Sequence, residues 1–157
     1  FGNRNAQIGE QAAIANCIAG LSKIAPLADE LGVTICVELL NSKVDHAGYQ
    51  GDHTAFGVAV MEGVNSPHVR LLYDIYHMQV MEGDIARTLQ KNLARIAHVQ
   101  LADNPGRNEP GTGEINYPFL FRHLDAIGYR GWVGCEYKPR TTTVDGLGWH
   151  AAQIFET

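Results

Sequence analysis

The chain has 157 residues, of which 45% are hydrophobic and 18% are charged, and its formal net charge is −5. This composition suffices for one domain with a core, and it argues against a nucleic-acid or anionic-membrane surface, which would need basic patches. We find no signal peptide and no apolar run near the roughly 18 residues of a membrane span, so we expect a cytoplasmic protein.

The cysteines also predict a reducing compartment. Cys17, Cys36 and Cys135 are odd in number and lack CxxC spacing, which favours free thiols over a disulfide framework. Cys36 and Cys135 lie in strand-like runs, so we predict that both are small core residues. The chain begins with FGNRNAQ and no methionine, which indicates processing or a longer protein.

Helical and strand patterns alternate along the chain. The first helix shows apolar residues at spacings of three and four from Ile14 to Ala28, with Pro26 expected to kink or restart it and Gly32 to cap it. Four apolar, strand-like runs follow: VTICVELL (33–40), VRLLYDIY (69–76), IAHVQLAD (96–103) and GWVGCEYKP (131–139). The remaining helices are predicted over 54–64 with Thr54 as N-cap, 84–95 beginning at Asp84, 117–127 with Pro118 in the first turn, and 144–156.

This order predicts an α/β fold with a parallel sheet and outer helices. The strands recur about every 30 residues, which fits a (β/α)₈ TIM barrel of roughly 250 residues. Four strands make half of one, so we interpret residues 1–157 as a single partial barrel domain. A doubly wound sheet is the alternative, but neither GxGxxG nor GxxxxGK[ST] occurs in the chain.

Each predicted strand ends in a side chain that can bind a metal: Glu38, Asp74, Gln100 and Glu136. In a parallel barrel the carboxyl ends of the strands meet at one mouth, where active sites lie. Three carboxylates meeting there would repel one another unless a cation neutralised them. Because all four ligands are oxygens, we predict Mg²⁺ or Mn²⁺ rather than Zn²⁺.

Strand alternation extends this prediction to the neighbouring residues. If Glu38 points into the mouth, Cys36 lies on the same face, while Ile35 and Val37 face the helices.

Several segments resemble the hydroxypyruvate isomerase family of xylose-isomerase-like TIM barrels, whose relatives include the ketose 3-epimerases. They are VELLNSK, LLYDIYHMQVMEGD, HVQLADNPGRNEPGTGEINYPFLF and GWVGCEYKP. The resemblance covers nearly the whole chain and places it at strands five to eight of the family's barrel, without the four N-terminal strands.

The resemblance implies a role for individual residues. Glu38, Asp74, Gln100 and Glu136 match the family's metal ligands, and Glu38 and Glu136 also match its acid–base pair. His77 and Arg107 match substrate-binding residues. We add His53 as a substrate-binding candidate from the segment NSKVDHAGYQGDH (41–53), which departs from well-known members of the family and also contains His46.

The implied activity is a metal-dependent isomerisation of hydroxypyruvate to 2-hydroxy-3-oxopropanoate (tartronate semialdehyde) through an enediolate. The closest alternative is a ketose 3-epimerase or another sugar or keto-acid isomerase that uses the same two glutamates. A remote alternative is a phosphodiesterase of the endonuclease IV type, which needs a histidine-rich zinc cluster. A non-catalytic fragment is a third possibility. We expect a small-molecule substrate as the partner and allow for a homo-oligomer, with neither nucleic acid nor membrane.

Overall fold

Parallel pairing of four short strands organises the chain. A computed structural model describes residues 2–150. The strands lie in the order β1-β2-β3-β4, and each adjacent pair is parallel. Their bounds are Ile35–Glu38 for β1, Val69–Asp74 for β2, Ile96–Leu101 for β3 and Trp132–Cys135 for β4. The predicted half of a parallel α/β barrel is confirmed, with the first and last strands at its two edges.

Helices connect and flank these strands. Their bounds are Glu10–Leu31 for α1, Thr54–Val64 for α2, Ile75–Met81 for α3, Ile85–Asn92 for α4, Tyr117–Ala126 for α5 and Thr143–Gly146 for α6, with a 3₁₀ turn over Leu93–Arg95. Within residues 2–150, none of the helices combines the length and apolar character that a membrane crossing requires. Residues 151–156 of the last predicted helix lie outside the described residues.

The ends of α1 and α2 agree only partly with their predictions. Gly32 has a φ of 63° and caps α1 by donating its N–H to the carbonyl of Asp29, as expected. Pro26 lies inside a helix that continues to Leu31. In α2 the predicted N-cap is wrong by one residue, because His53 occupies that position and the Thr54 hydroxyl donates to Glu82 instead.

The second strand is shorter than predicted. It ends at Asp74 rather than at residue 76, and the unpredicted helix α3 begins at Ile75. Asp74 Oδ1 accepts the backbone N–H groups of Tyr76 at 2.8 Å and His77 at 3.2 Å, as a helix N-cap does. The apolar side chain of Ile75 suits a strand, but these two hydrogen bonds turn the chain into a helix.

The core lies between the helices and one face of the sheet. Alternate strand residues point towards it: Val69, Leu71, Tyr73, Val99 and Leu101 are buried. Helices α2, α4 and α5 cover them with Phe56, Val60, Met61, Leu89, Leu120 and Leu124. Ile35 and Val37 also pack against this cluster, as the predicted alternation requires. The opposite face of the sheet therefore carries Glu38, Asp74 and Gln100.

The predicted burial of two cysteines is wrong, because Cys36 and Cys135 are both exposed. They lie in the edge strands β1 and β4, each of which pairs with a single neighbour in the described sheet. Cys36 is on the face opposite the helices and pairs with Arg70 in the parallel register, and Trp132 is 84% exposed at the other edge. An apolar sequence predicts a strand here, but burial depends on what covers that strand.

Two helical glycines should respond to the same substitution in opposite directions. A Cβ at Gly57 would lie 2.9 Å from Leu71 Cδ2, so Gly57→Ala should destabilise the protein by about 1–3 kcal/mol through overpacking. A Cβ at Gly20 meets nothing within 4 Å, so Gly20→Ala should stabilise α1 by about 0.5–1 kcal/mol. Urea unfolding of both variants checks this pair, and equal effects would contradict the packing of α2 on the sheet.

The two unpaired strand edges predict self-association of a polypeptide made of residues 1–157. Unpaired backbone groups on β1 and β4, together with the exposed Val33 and Trp132, form surfaces that favour pairing with another chain. We expect oligomers or aggregates in size-exclusion chromatography with light scattering, and a broad thermal transition. A monomer with a sharp transition would contradict this expectation.

Candidate metal and substrate site

The residues that end the four strands meet at one end of the sheet. Glu38 is the last residue of β1, Asp74 ends β2, and Glu136 follows β4 directly. One carboxylate oxygen of each, together with a ring nitrogen of His77, lies within 4.8 Å of the others. Gln100 is paired with Asp74 in the parallel register. The predicted convergence of the carboxylates is therefore confirmed, with the glutamine beside them.

Three oxygens at this end of the sheet are buried without a hydrogen-bond donor. They are Glu38 Oε1, Asp74 Oδ2 and Gln100 Oε1. Leaving a buried polar atom unpaired costs free energy, so native proteins rarely collect such atoms in one place. A hard divalent cation takes carboxylate and amide oxygens as ligands, so the donor set fits Mg²⁺ or Mn²⁺.

The charges of the carboxylates also favour a bound cation. Burial raises the pKa of Glu38 to about 7, with further increases from the charges of Glu136 and Asp74 and a decrease from Arg107. Burial also raises the pKa of Asp74 to about 6, although the backbone N–H groups of His77 and Tyr76 oppose the shift. Asp74 thus uses one oxygen as a helix cap and leaves the other facing the cluster. A bound cation would relieve the repulsion.

His77 places one ring nitrogen beside the carboxylates, and its other ring nitrogen faces Asn41. Its Nδ1 accepts the backbone N–H of Asn41 at 3.2 Å and lies 2.7 Å from Asn41 Nδ2. Burial lowers the pKa of His77 to about 4, reinforced by Arg107 and His46, so the ring is neutral. The contacts from Asn41 favour a proton on Nε2. Nε2 lies 3.8 Å from Glu38 Oε1 and 3.4 Å from Arg107 Nη2, a donor that favours the opposite tautomer.

Arg107 lies across the mouth of the site. Its Nη2 donates to Glu136 Oε2 at 2.7 Å, and its Nη1 lies 3.9 Å from Asp45 Oδ2. The guanidinium also lies over the ring of Tyr76, 5.1 Å from the centroid. Its side chain is 17% exposed, so solvent and a small ligand can reach it.

The segment over residues 41–53 brings a different histidine to the site from the one we expected. His53 lies against Asp52, with Nδ1 2.8 Å from Oδ1, and its side chain is about half exposed. His46 instead contacts His77 edge-on, with 5.4 Å between the ring centroids. The sequence indicated the correct segment, but the position of each ring depends on how the loop folds.

Sequence reasoning missed Asn41, which organises this part of the site. Its side chain is fully buried, its Oδ1 accepts the N–H groups of Val44 and Asp45, and its Nδ2 donates to Asp45 Oδ2 at 2.7 Å. Asn41 therefore connects the end of β1 with both His77 and Asp45. An asparagine just after a strand indicates a turn, and only the folded chain shows which histidine it contacts.

The family follows from a comparison of the whole chain. A model of the xylose isomerase-like TIM barrel family matches residues 1–153. The chain belongs to this family. The match confirms the resemblance drawn from the four strand-end motifs.

Two curated relatives are isomerases. The 2-oxo-tetronate isomerase of Cupriavidus necator is 42% identical over 135 residues, covering 86% of this chain and 52% of that protein. The hydroxypyruvate isomerase of Escherichia coli is 46% identical over 114 residues, covering 71% of this chain and 44% of that protein. The chain thus spans about half the length of the curated relatives it matches.

A solved structure from Brucella melitensis, described as an AP endonuclease of family 2, superposes with a TM-score of 0.86 at 41% identity. The alignment covers 92% of this chain and 55% of that chain. The half-barrel fold therefore occurs in this family as part of a longer polypeptide.

Metal binding by the cluster is testable without any substrate. Mn²⁺ at 100 times its dissociation constant should stabilise the fold by about 2.7 kcal/mol. Asp74→Asn keeps the capping oxygen but replaces the free oxygen with an amide, so it should remove this stabilisation. Asp84→Asn is the matched control, because Asp84 pairs with Arg87 on the surface. Thermal unfolding with and without Mn²⁺ measures both, and a full Mn²⁺ effect in Asp74→Asn would contradict the assignment.

Proposed function

We propose that this chain supplies the metal-binding and proton-transfer residues of an isomerase that interconverts hydroxypyruvate and 2-hydroxy-3-oxopropanoate. The observation that carries the proposal is the meeting of Glu38 and Glu136 around Asp74, with one oxygen of each inside a 4.8 Å cluster. Relatives named hydroxypyruvate isomerase and 2-oxo-tetronate isomerase, at 46% and 42% identity, support an isomerase.

The reaction moves one carbon-bound proton between neighbouring carbons. A base removes a proton from the hydroxymethyl carbon of hydroxypyruvate, and the electron pair of that C–H bond forms the carbon–carbon double bond of an enediolate. Protonation of the former ketone carbon then forms its new C–H bond. The proton of the original hydroxyl group passes to the former ketone oxygen, so the hydroxymethyl carbon becomes an aldehyde. No redox partner is needed, because one carbon is oxidised as its neighbour is reduced.

Glu38 and Glu136 suit the two proton transfers. They lie at the two edge strands with Asp74 and Gln100 between them, so a substrate over the cluster can be approached from two sides. Burial raises the pKa of Glu38 in the absence of a cation, which favours its role as a base. A carboxylate that binds a cation is a weaker base, so burial has to offset that effect for Glu38 to take the proton. A divalent cation held by Glu38, Asp74, Gln100 and Glu136 would act as a Lewis acid that stabilises negative charge on the substrate oxygens.

Arg107 and His77 suit the substrate's polar groups. The guanidinium of Arg107 reaches Glu136 at 2.7 Å and remains accessible, so a substrate carboxylate can form a charge-assisted pair with it. Nε2 of His77 lies 3.8 Å from Glu38 Oε1, so it can form a hydrogen bond with a substrate oxygen. His46, edge-on to His77 with 5.4 Å between the ring centroids, is a further candidate for contact with the substrate.

A ketose 3-epimerase is the second candidate, and one observation favours it. Arg107 is already flanked by Glu136 at 2.7 Å and Asp45 at 3.9 Å, so two carboxylates offset its charge. A neutral sugar would tolerate that balance better than an anionic keto acid would. A substrate panel that contains hydroxypyruvate and several ketoses therefore decides between the two.

An endonuclease is less favoured, although the similar structure from Brucella melitensis is described as one. Among the described residues the cluster offers three carboxylates and one histidine, whereas an endonuclease of this type needs a histidine-rich zinc cluster. The formal net charge of −5 is also unfavourable for binding a phosphate backbone. Cleavage of a duplex with an abasic site by the metal-loaded protein, without isomerase activity, would reverse this preference.

The two glutamates are tested by isosteric substitution in the full-length protein that carries this sequence. Glu38→Gln and Glu136→Gln each keep the shape of the side chain and remove a base, so each should lower kcat on hydroxypyruvate by about 10²–10⁴-fold with Mn²⁺ or Mg²⁺ present. Glu62→Gln is the control, because Glu62 is an exposed partner of Arg95 away from the site.

The outcome separates the mechanism from the fold. Unfolding curves that match the parent both with and without Mn²⁺ would show that neither the fold nor metal binding accounts for the loss of turnover. Near-parental turnover in either glutamine variant would contradict the two-glutamate scheme.

A further inference from the structure

The loop between β3 and α5 carries Arg107 and is attached to the segment that carries Glu136. The backbone carbonyl of Arg107 accepts the N–H of Lys138 at 2.7 Å, and Asn108 Nδ2 donates to the carbonyl of Lys138 at 2.7 Å. Glu136 N–H in turn donates to the carbonyl of Leu101, at the end of β3, at 3.0 Å. The loop and the strand-end segment therefore position each other.

Arg107 has a backbone conformation that needs such support. Its φ is 55°, in the left-handed region that costs a non-glycine residue free energy. A residue keeps this conformation only if its neighbours fix the chain on both sides. The hydrogen bond from Lys138 restrains Arg107 itself, so the rest of the loop needs an anchor of its own.

Asp103 is that anchor. The residue is only 1% exposed, and each of its carboxylate oxygens accepts two backbone N–H groups. Oδ1 accepts from Asn104 at 2.9 Å and Ile115 at 3.1 Å, and Oδ2 accepts from Gly111 at 2.8 Å and Gly113 at 2.9 Å. These bonds join the start of the loop to its end across the residues that carry Arg107.

Gly113 shows how closely the loop closes around this carboxylate. A Cβ at Gly113 would overlap the carbonyl oxygen of Asn104 and would lie 2.7 Å from Asp103 Oδ1. A glycine is therefore required where the backbone approaches the anchor. The backbone N–H of Asp103 also donates to the carbonyl of Asn108 at 2.8 Å, so Asp103 restrains the residue next to Arg107 directly.

We propose that Asp103 is a positioning residue that sets the place of the Arg107 guanidinium over the site through the backbone of the loop 104–116. Asp103 contacts neither the carboxylate cluster nor any group that we assign to the substrate. Its effect on the reaction passes through Arg107, and through Arg107 to the orientation of Glu136. The inference rests on the proposed function for its catalytic part, whereas the placement of Arg107 is a property of the fold.

Asp103→Asn is the informative variant. The amide has the shape of the carboxylate, but its NH₂ group would face two backbone N–H donors in place of an acceptor. In the full-length protein we expect KM for hydroxypyruvate to rise about tenfold, the size of one charge-assisted hydrogen bond. Asn116→Ala is the matched control: it removes the N-cap of α5, where Asn116 Oδ1 accepts from Phe119 at 3.1 Å, and leaves the Asp103 bonds intact.

A double-mutant cycle with Arg107→Ala separates positioning from a general loss of structure. If Asp103 acts through Arg107, Asp103→Asn should change KM less than about twofold in the Arg107→Ala background. A tenfold effect that persists in that background would overturn the proposal. Equal KM values for Asp103→Asn and Asn116→Ala would also overturn the proposal.

A spectroscopic measurement keeps the inference independent of the substrate. The guanidinium NMR signals of Arg107, assigned by their loss in Arg107→Lys, report its bond to Glu136. Asp103→Asn should broaden or shift them, and Asn116→Ala should not. If the parent protein shows no isomerase turnover but Asp103→Asn still changes the Arg107 signals, the isomerase proposal is wrong and the positioning role is retained. Unchanged Arg107 signals in Asp103→Asn would overturn the positioning role.

Discussion

Repulsion between carboxylates that parallel strands bring together is the constraint on which the rest of this structure depends. Glu38, Asp74 and Glu136 lie at the ends of strands in one sheet, where Asp74 is fully buried and Glu38 is half-buried. Like charges in a low-dielectric site are costly unless a cation compensates them. A protein that kept this arrangement for stability alone would be expected to pair those oxygens with donors. Here three cluster oxygens, including that of Gln100, have none among the described residues.

The residues around the cluster form hydrogen bonds that hold the site's side chains, but within residues 2–150 they leave three oxygens of the cluster without a donor. Asn41 uses its backbone and side chain to hold the ring of His77 and the carboxylate of Asp45. Arg107 lies between Asp45 and Glu136 and over Tyr76, so its charge and its plane are both restrained. Such surroundings hold the reacting groups in place before a substrate arrives, which is how an active site avoids reorganisation during the reaction.

Two buried aspartates, one at the end of β2 and one two residues after β3, show how the number of backbone donors decides a role. Asp103 accepts four N–H groups, two on each oxygen, and so it organises a loop. Asp74 accepts two N–H groups on Oδ1 and none on Oδ2, so it caps a helix and still presents an oxygen to the cluster. The same side chain is structural in one place and a candidate ligand in the other, because the surrounding backbone differs.

The sequence by itself determined the alternation of helices and strands, the parallel sheet, and the strand-end positions of Glu38, Asp74, Gln100 and Glu136. These features follow from local periodicity and from the geometry of parallel strands, which hold whatever the distant parts of the chain do. Tertiary structure alone decided the start of α3 at Ile75, the exposure of Cys36 and Cys135, the approach of His46 rather than His53, and the roles of Asn41 and Asp103. Each of these depends on which backbone groups and surfaces from distant segments meet in the fold, and that information is absent from local pattern.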